Sequence, residues 1–287
     1  MTYLKFLFTI PEHLQEYFIA ELLDLDFYGF EQFDNSLEAY VERSRFNDTH
    51  REYIEQLVSL YPGITFSEEK EIEEQNWNST WEKSIKPQRI GKFLVKPTWS
   101  AEEPTEEEIL LEIDPKMSFG TGYHATTRLI LRELERMPMK GKIVMDAGTG
   151  TGILAIASVK LGAINVIGFD TDPWSQDNAY ENTFLNGVQD KIEIRFGGIE
   201  QIRQDELFDI TLANINRNVI LEIIPFLSQQ TKVGGQICIT GLLDSDEEII
   251  RKKLSEQPVH IISFEKEEEW ILFRLEKFED KPAEQGS

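Results

Sequence analysis

Two periods of apolar residues alternate along the first 72 residues. Runs of aromatic and β-favouring side chains predict strands, and leucine and phenylalanine at intervals of three and four predict helices. The predicted elements are a strand over 3–10, a helix over 11–25, strands over 27–33 and 37–41, a helix begun by Asn47 or Asp48, and a strand from residue 64. This order of elements is that of a ferredoxin-like α+β domain.

From residue 109 the pattern changes to short apolar runs that alternate with amphipathic segments. The predicted strands are 143–145, 166–169, 192–196, 210–213 and 236–240, and the helices between them are 153–161, 174–186, 219–229 and 246–254. Such alternation predicts an α/β domain with a parallel sheet. The runs 259–264 and 270–275 have no helix between them, so we expect a closing hairpin that adds an antiparallel strand.

These patterns divide the chain into domains. We predict a substrate-recognition domain over 1–72, a linker over 73–108, an α/β domain over 109–279 and a polar tail over 280–287. The linker carries Trp77, Trp81 and Trp99 among five basic residues. Such interleaving occurs where proteins bind single-stranded nucleic acid, but we favour tryptophans that dock the two domains together.

Composition narrows the choice of partners. The 287 residues carry 52 acidic and 29 basic side chains, a formal net charge of −23, and the first 76 residues hold 17 acids against 5 bases. Such a charge repels phosphate and attracts a basic partner, so we expect no direct binding to nucleic acid or to membranes. The alternative is that the acidic excess is only a solvated surface.

The cysteine count and the length of the apolar runs limit the classes of protein to which this chain could belong. A single cysteine, Cys238, excludes an internal disulfide framework and a Cys-rich zinc site, and the scattered histidines predict no metal. No apolar run approaches membrane-spanning length, and the first residues lack a signal-peptide pattern. We therefore expect a soluble, cytoplasmic protein.

The richest chemistry lies in the stretch Asp146-Ala-Gly-Thr-Gly-Thr-Gly152, between a predicted strand and a predicted helix. Glycines let the backbone turn tightly and approach a ligand, and the amides of such a turn suit an anion or a carboxylate. Asp170 ends the next predicted strand, where an acid can accept hydrogen bonds from both ribose hydroxyls. Together these features predict an adenosine-containing ligand.

Asp146 distinguishes between two such ligands. Its carboxylate would repel a pyrophosphate but attract an ammonium group, and Ile153 stands where the dinucleotide fingerprint G-x-G-x-x-G/A needs its third glycine. S-adenosylmethionine joins an adenosine to a cationic amino acid. We therefore favour S-adenosylmethionine as the cofactor over a nicotinamide dinucleotide.

The motif D-x-G-x-G-x-G with a downstream ribose acid resembles motif I of the class I methyltransferases, whose Rossmann-like sheet has one antiparallel strand. A second segment, over 115–127, reads P-x-M-x-F-G-T-G-x-H-x-T-T and resembles the PrmA family. These are bacterial methyltransferases of the eleventh protein of the large ribosomal subunit. The stretches Phe169-Asp-Thr-Asp-Pro173 and Leu212-Ala-Asn214 also fit, so the similarity covers nearly the whole chain.

The resemblance implies a set of cofactor-binding residues. They are Thr127, Gly148, Asp170 and Asn214, with Phe119 and His124 in a loop that closes over the cofactor, and Asp146 and Gly150 of the glycine-rich stretch join them. Without the resemblance, His124 would be an ordinary loop histidine. Thr126 or Thr127 would be the expected cap of a helix over 128–136.

The run Asn214-Ile-Asn-Arg217 lacks the two prolines and the aromatic that many methyltransferases of nucleic-acid and glutamine amino groups carry there. We therefore predict an N-methyltransferase that acts on lysine of that ribosomal protein, with the N-terminal α-amine as a further acceptor. The alternatives are a class I methyltransferase of another protein or of a small molecule, and a binding module that keeps the fold without catalysis. The sequence identifies no general base, so the catalytic residues stay unknown.

Overall fold

The computed structural model describes residues 2–23, 25–73, 85–116 and 118–279. The chain divides into two compact units, 1–80 and 81–287. Trp77, Trp81 and the predicted polar tail lie outside the described residues. Within the described ranges, no helix has the length and apolar character needed to cross a lipid bilayer.

The first unit is a four-stranded antiparallel sheet with two helices. Its elements are β1 (Thr2–Thr9), α1 (Glu12–Leu23), β2 (Phe27–Phe33), β3 (Ser36–Glu42), α2 (Asp48–Ser59) and β4 (Thr65–Glu73). Alternate residues of β1, Leu4, Phe6 and Phe8, are buried in the core, which is the period-two pattern of a strand with one buried face. The strand order β2-β3-β1-β4 is that of a ferredoxin-like domain, as predicted.

The second unit begins with a small three-stranded sheet. Its strands are β5 (Gln88–Ile90), β6 (Phe93–Lys96) and β7 (Ile109–Glu112), and β6 is antiparallel to β5 and parallel to β7. Phe93 and Leu111 belong to the same buried cluster as the large sheet that follows. Part of the predicted linker is thus folded into the second unit, where Trp99 is about half exposed. The domain boundaries and the docking role of the tryptophans stay predictions.

The large sheet has seven strands in the order β10-β9-β8-β11-β12-β14-β13. Its elements are β8 (Ile143–Ala147), β9 (Asn165–Asp170), β10 (Ile192–Phe196), β11 (Phe208–Asn214), β12 (Thr231–Leu243), β13 (Val259–Glu267) and β14 (Trp270–Lys277), with α3 (Ala125–Leu134), α4 (Ile153–Lys160), α5 (Pro173–Leu185), α6 (Arg217–Gln230) and α7 (Glu247–Ser255). Strands β8 to β12 pair in parallel, and β14 is antiparallel to both its neighbours. The predicted Rossmann-like sheet with an inserted antiparallel strand is confirmed.

Helices cover both faces of this sheet. Leu129 of α3 and Leu154 of α4 are buried on one face, and Ile224 of α6 and Ile250 of α7 are buried on the other. Strands buried on both faces read as the continuous apolar runs seen in the sequence. Because β8, β9 and β11 run parallel to one another, their carboxyl ends meet at one edge of the sheet. Ligands bind at this edge in sheets of this kind.

Candidate cofactor and substrate site

A cavity of about 770 Å³ lies at this carboxyl edge of the sheet, a size typical of cofactor sites. Six of the eight predicted cofactor residues line it: Phe119, His124, Gly148, Gly150, Asp170 and Asn214. The other two, Thr127 and Asp146, are fully buried and do not belong to its lining.

The glycine loop, residues 148–152, connects β8 to α4. The φ angles of Gly148, Gly150 and Gly152 are +71°, +55° and +79°, in the left-handed region that favours glycine. A Cβ at Gly148 would lie 2.3 Å from Cγ2 of Ile215, and one at Gly150 would lie 2.4 Å from the carbonyl oxygen of Phe119. The glycines are therefore required by the protein's own packing around the cavity as well as by the turn.

Each amide of the glycine loop already donates to an acceptor within the protein. The pairs, with their N···O distances, are Gly148 and Thr149 to the Phe169 carbonyl (2.9 and 3.1 Å), Gly150 to Oδ2 of Asp170 (2.9 Å), Thr151 to the Phe119 carbonyl (2.9 Å) and Gly152 to the Thr149 carbonyl (2.8 Å). These amides are therefore not free to receive the anion of a ligand. The Asp170 carboxylate accepts that of Gly150, and backbone carbonyls accept the others.

Asp170 ends β9 with its carboxylate at the cavity. Its Oδ2 accepts the Gly150 amide, and its Oδ1 accepts the amide of Asp172 at 3.0 Å. Because a carboxylate offers about four acceptor sites, these two bonds orient the side chain and leave sites for ligand hydroxyls.

Asn214 ends the neighbouring strand β11 and also faces the cavity. Among the described residues, no hydrogen bond uses its side-chain amide, which is thus available to a ligand. The next residue, Ile215, packs closely on Gly241 of β12, where a Cβ would lie 2.2 Å from the Ile215 carbonyl oxygen. This close approach sets the course of the chain as it leaves β11.

The described residues that line the cavity include four carboxylates and no lysine or arginine. The carboxylates belong to Asp170, Asp172, Glu200 and Glu222. Burial lowers the pKa of His124, and the nearby Arg128 lowers it further, which keeps the ring neutral at neutral pH. The cavity is therefore electronegative and favours a cation over a phosphate.

His124 caps α3, so the predicted cap at Thr126 or Thr127 was wrong. Its Nδ1 accepts the amide of Thr126 at 3.3 Å and lies 2.8 Å from the hydroxyl of that residue. A neutral imidazole nitrogen has the lone pair that a cap requires. The ring also contacts Trp270, with 4.5 Å between centroids, and Phe119, with 5.2 Å.

Asp146 and Thr127, the two predicted cofactor residues outside the lining, are both buried polar residues. The Thr149 hydroxyl donates to Oδ2 of Asp146 at 2.7 Å, while Oδ1 of Asp146 and Oγ1 of Thr127 have no hydrogen-bond partner among the described residues. Burial raises the pKa of Asp146 to about 7, and the Asp170 carboxylate acts in the same direction. Their part in cofactor binding stays a prediction.

Sequence reasoning missed several residues of the lining. Trp270 and Glu222 come from a distant hairpin and a helix, and nothing in their local sequence marks them. Gly198 lies in a Gly-Gly pair directly after β10, and that position at a strand end was a signal that could have found it. Ser118, whose buried hydroxyl has no partner in the described part of the chain, stands at an unspecified position of the 115–127 segment.

Comparison with known proteins gives consistent matches. A family model described as "Ribosomal protein L11 methyltransferase (PrmA)" matches residues 20–277. The ribosomal protein L11 methyltransferases of Chlorobaculum parvum and Chlorobaculum tepidum are 35% and 34% identical over 282 and 274 residues, covering 96% and 94% of both chains. A crystal structure of ribosomal protein L11 methylase from Lactobacillus delbrueckii subsp. bulgaricus aligns with a TM-score of 0.63 at 29% identity, over 68% of this chain and 100% of that one.

Proposed function

The chain belongs to the ribosomal protein L11 methyltransferase (PrmA) family, and on this premise we propose that it transfers methyl groups from S-adenosylmethionine to lysine amines of that ribosomal protein. The N-terminal α-amine of the same protein is a further acceptor. The observation that carries the proposal is the electronegative cavity beside a glycine loop whose amides are all in use.

The residues present fit S-adenosylmethionine better than a dinucleotide. Asp170 offers acceptors for two ribose hydroxyls, and the side-chain amide of Asn214 is available to the ligand. Among the described residues of the lining, a pyrophosphate would find no basic side chain, and the amides of the glycine loop are already in use. A sulfonium and an ammonium group instead suit the four carboxylates of the lining. Ser118 adds a buried hydroxyl in need of a partner.

The contribution of the protein to the reaction is alignment. When bound, S-adenosylmethionine supplies a methyl group on a positively charged sulfur. Asp170, Asn214 and the packed glycine loop would hold that group in place, and positioning of this kind lowers the barrier to transfer of the methyl group to an acceptor amine.

An amine acceptor also matches the wall of the cavity. After Asn214 the chain continues with Ile215 and Asn216, neither of which offers a face on which a planar amide or base could stack. The aromatic rings of the lining lie elsewhere in the sequence: the His124 ring contacts those of Phe119 and Trp270. A flexible lysine side chain needs only an apolar passage for its methylene groups and a polar end.

The test is transfer of label from tritiated S-adenosylmethionine to the purified ribosomal protein, followed by peptide mapping of the label. We expect label on lysine, with the N-terminal amine as a second position. A ribosome-free bacterial extract serves as the competing substrate. Label confined to another protein, or to a small molecule, would favour a class I methyltransferase of different specificity, and absence of any transfer would favour a binding module.

A further inference from the structure

Three asparagines of the α5 segment face the same neighbouring backbone. Asn178, Asn182 and Asn186 follow one another at intervals of four residues, which places them on one face of the helix. Each is at least nine-tenths buried, and Asn182 is completely so. Buried amides need hydrogen-bond partners, and here the partners are backbone groups of the segment that leaves β7.

The outer two asparagines bind only this segment and the helix itself. Asn186 accepts the Glu112 amide at 3.0 Å and donates to the Glu112 carbonyl at 2.7 Å, as a neighbouring strand would. Asn178 donates to the carbonyl of Asp114 at 2.7 Å. These bonds fasten the free edge of the small sheet to α5.

Asn182 bonds both to the segment that leaves β7 and to the glycine loop. Its Oδ1 accepts the Asp114 amide at 3.0 Å, and its Nδ2 donates to the Asp114 carbonyl at 3.2 Å and to the carbonyl of Thr151, in the glycine loop, at 2.9 Å. One side chain therefore joins the segment that leads into the 115–124 loop to the glycine loop. Both loops supply residues of the cavity lining.

Thr151 in turn bonds the glycine loop to the loop around Phe119. Its amide donates to the Phe119 carbonyl, and its hydroxyl donates to the Gly120 carbonyl at 2.8 Å. Together with the bond from Asn182, the amide, hydroxyl and carbonyl of Thr151 each form one hydrogen bond. The loop around Phe119 and the glycine loop are thus parts of one hydrogen-bonded unit whose third member is α5.

We propose that Asn182 is a positioning residue for cofactor binding, which sets the distance between the glycine loop and the 115–124 loop. The inference rests on the proposed function, since cofactor affinity is one of its readouts. This role requires an amide side chain at position 182, because the side chain must donate to two carbonyls and accept from one N–H. A carboxylate at this position could accept but would face two carbonyl oxygens without a donor.

The experiment compares Asn182→Ala with Asn186→Ala, a matched change on the same helix face that removes bonds to Glu112 and none to the glycine loop. We expect both variants to lower the melting temperature. Only Asn182→Ala should raise the Kd for S-adenosylmethionine in calorimetry, by about tenfold, because one of the three hydrogen bonds that it removes, the bond to Thr151, holds the glycine loop. Asn182→Asp should behave as Asn182→Ala. Equal Kd values for the variants at 182 and 186 would overturn the inference.

A second readout does not depend on the cofactor. Amide hydrogen exchange over 118–122 and 148–152 should be faster in Asn182→Ala than in Asn186→Ala, and equal protection would overturn the inference. If the alanine variant does not fold, Asn182→Ser, which keeps a smaller polar group, is compared in the same way. A wild-type chain that fails to bind S-adenosylmethionine would overturn the proposed function, while the exchange comparison would still decide the role of Asn182.

Discussion

Asp170 shows how one carboxylate serves both the protein and the proposed ligand. It accepts the amides of Gly150 and Asp172 and still presents acceptor sites to the cavity. Replacement by alanine would remove the acceptor proposed for two ribose hydroxyls and also the acceptor of the Gly150 amide. A change at this residue therefore affects both the proposed ligand contact and the glycine loop.

We expect Asp170→Ala to weaken binding of S-adenosylmethionine by roughly 1–3 kcal/mol. Isothermal titration calorimetry measures this directly. Asp177→Ala, which removes an exposed acid of the neighbouring helix outside the cavity, is the matched control and should leave the Kd unchanged. If both variants bind as tightly as the wild type, Asp170 does not belong to the site.

Asp146 is expected to make stability depend on pH. Burial raises its pKa to about 7 in the folded protein, well above the ordinary value of 3.8. The folded state then binds this proton more tightly than the unfolded state, so the contribution to stability is present at low pH and is lost as the pH rises towards and through 7.

Asp146→Asn removes that titration. The difference in unfolding free energy between wild type and variant should shift in favour of the variant from pH 4 to pH 8, by at most about 4 kcal/mol. Urea unfolding of both proteins across this range measures the difference. Any contribution of His124 to the pH dependence is the same in both proteins and cancels in the difference. Parallel pH profiles would mean that Asp146 is not held in a desolvated site.

At the scale of elements, ion pairs tie α3 to the closing hairpin. Arg128 lies 2.6 Å from Glu267 of β13, and Arg136, just after α3, lies 2.6 Å from Glu265. Glu133, only 1% exposed, lies 2.9 Å from Arg136 and 2.9 Å from Arg274 of β14. Because His124 caps α3 and Trp270 begins β14, and both line the cavity, these pairs stabilise two parts of its lining against each other.

Removing the buried member of this group should be costly. Glu133→Ala leaves the mostly buried Arg274 without its carboxylate, and we expect a loss of about 3 kcal/mol in unfolding free energy. Urea denaturation measures the loss, with Glu106→Ala, an exposed acid of a loop, as control. A loss no larger than that of the control would show that the pair does not stabilise the packing of α3 on the hairpin.

At the scale of the molecule, the whole lining of the cavity comes from residues 118–270, within the second unit. We expect a chain that begins at residue 81 to bind S-adenosylmethionine with unchanged Kd but to lose methylation of the ribosomal protein. The physical reason is that the first unit has its own core, while the described residues of the lining all belong to the second unit. Methylation by the shortened chain at the full rate would refute the proposed role of residues 1–72 in substrate selection.

The net charge of −23 leads to a kinetic expectation. Exposed charges attract a basic substrate at long range, and salt screens them beyond about 10 Å at 0.1 M. We expect kcat/KM for the free ribosomal protein to fall as salt is raised, and to exceed that for the same protein within assembled large subunits, whose RNA is repelled. Equal efficiency on both substrates with no salt dependence would leave the charge with a role in solubility only.

The amino-acid sequence determined the elements, their order and most of the candidate site. Period-two and helical patterns are local, so strands such as β1 and helices such as α2 could be predicted from neighbours in the chain. Glycine and acid positions at strand ends likewise predicted Gly148 and Asp170 at one edge, because parallel strands bring their carboxyl ends together. Asn214 was predicted from the family resemblance alone.

Tertiary structure alone decided where the hydrogen bonds of those residues go. The glycine-loop amides look available in sequence, yet Phe169, Asp170 and Phe119 accept them. The cap at His124, the burial of Asp146 and the bond from Asn182 to Thr151 likewise depend on segments that are distant along the chain. A local pattern predicts which groups lie at a site, but the partners that occupy or expose them are set by long-range packing.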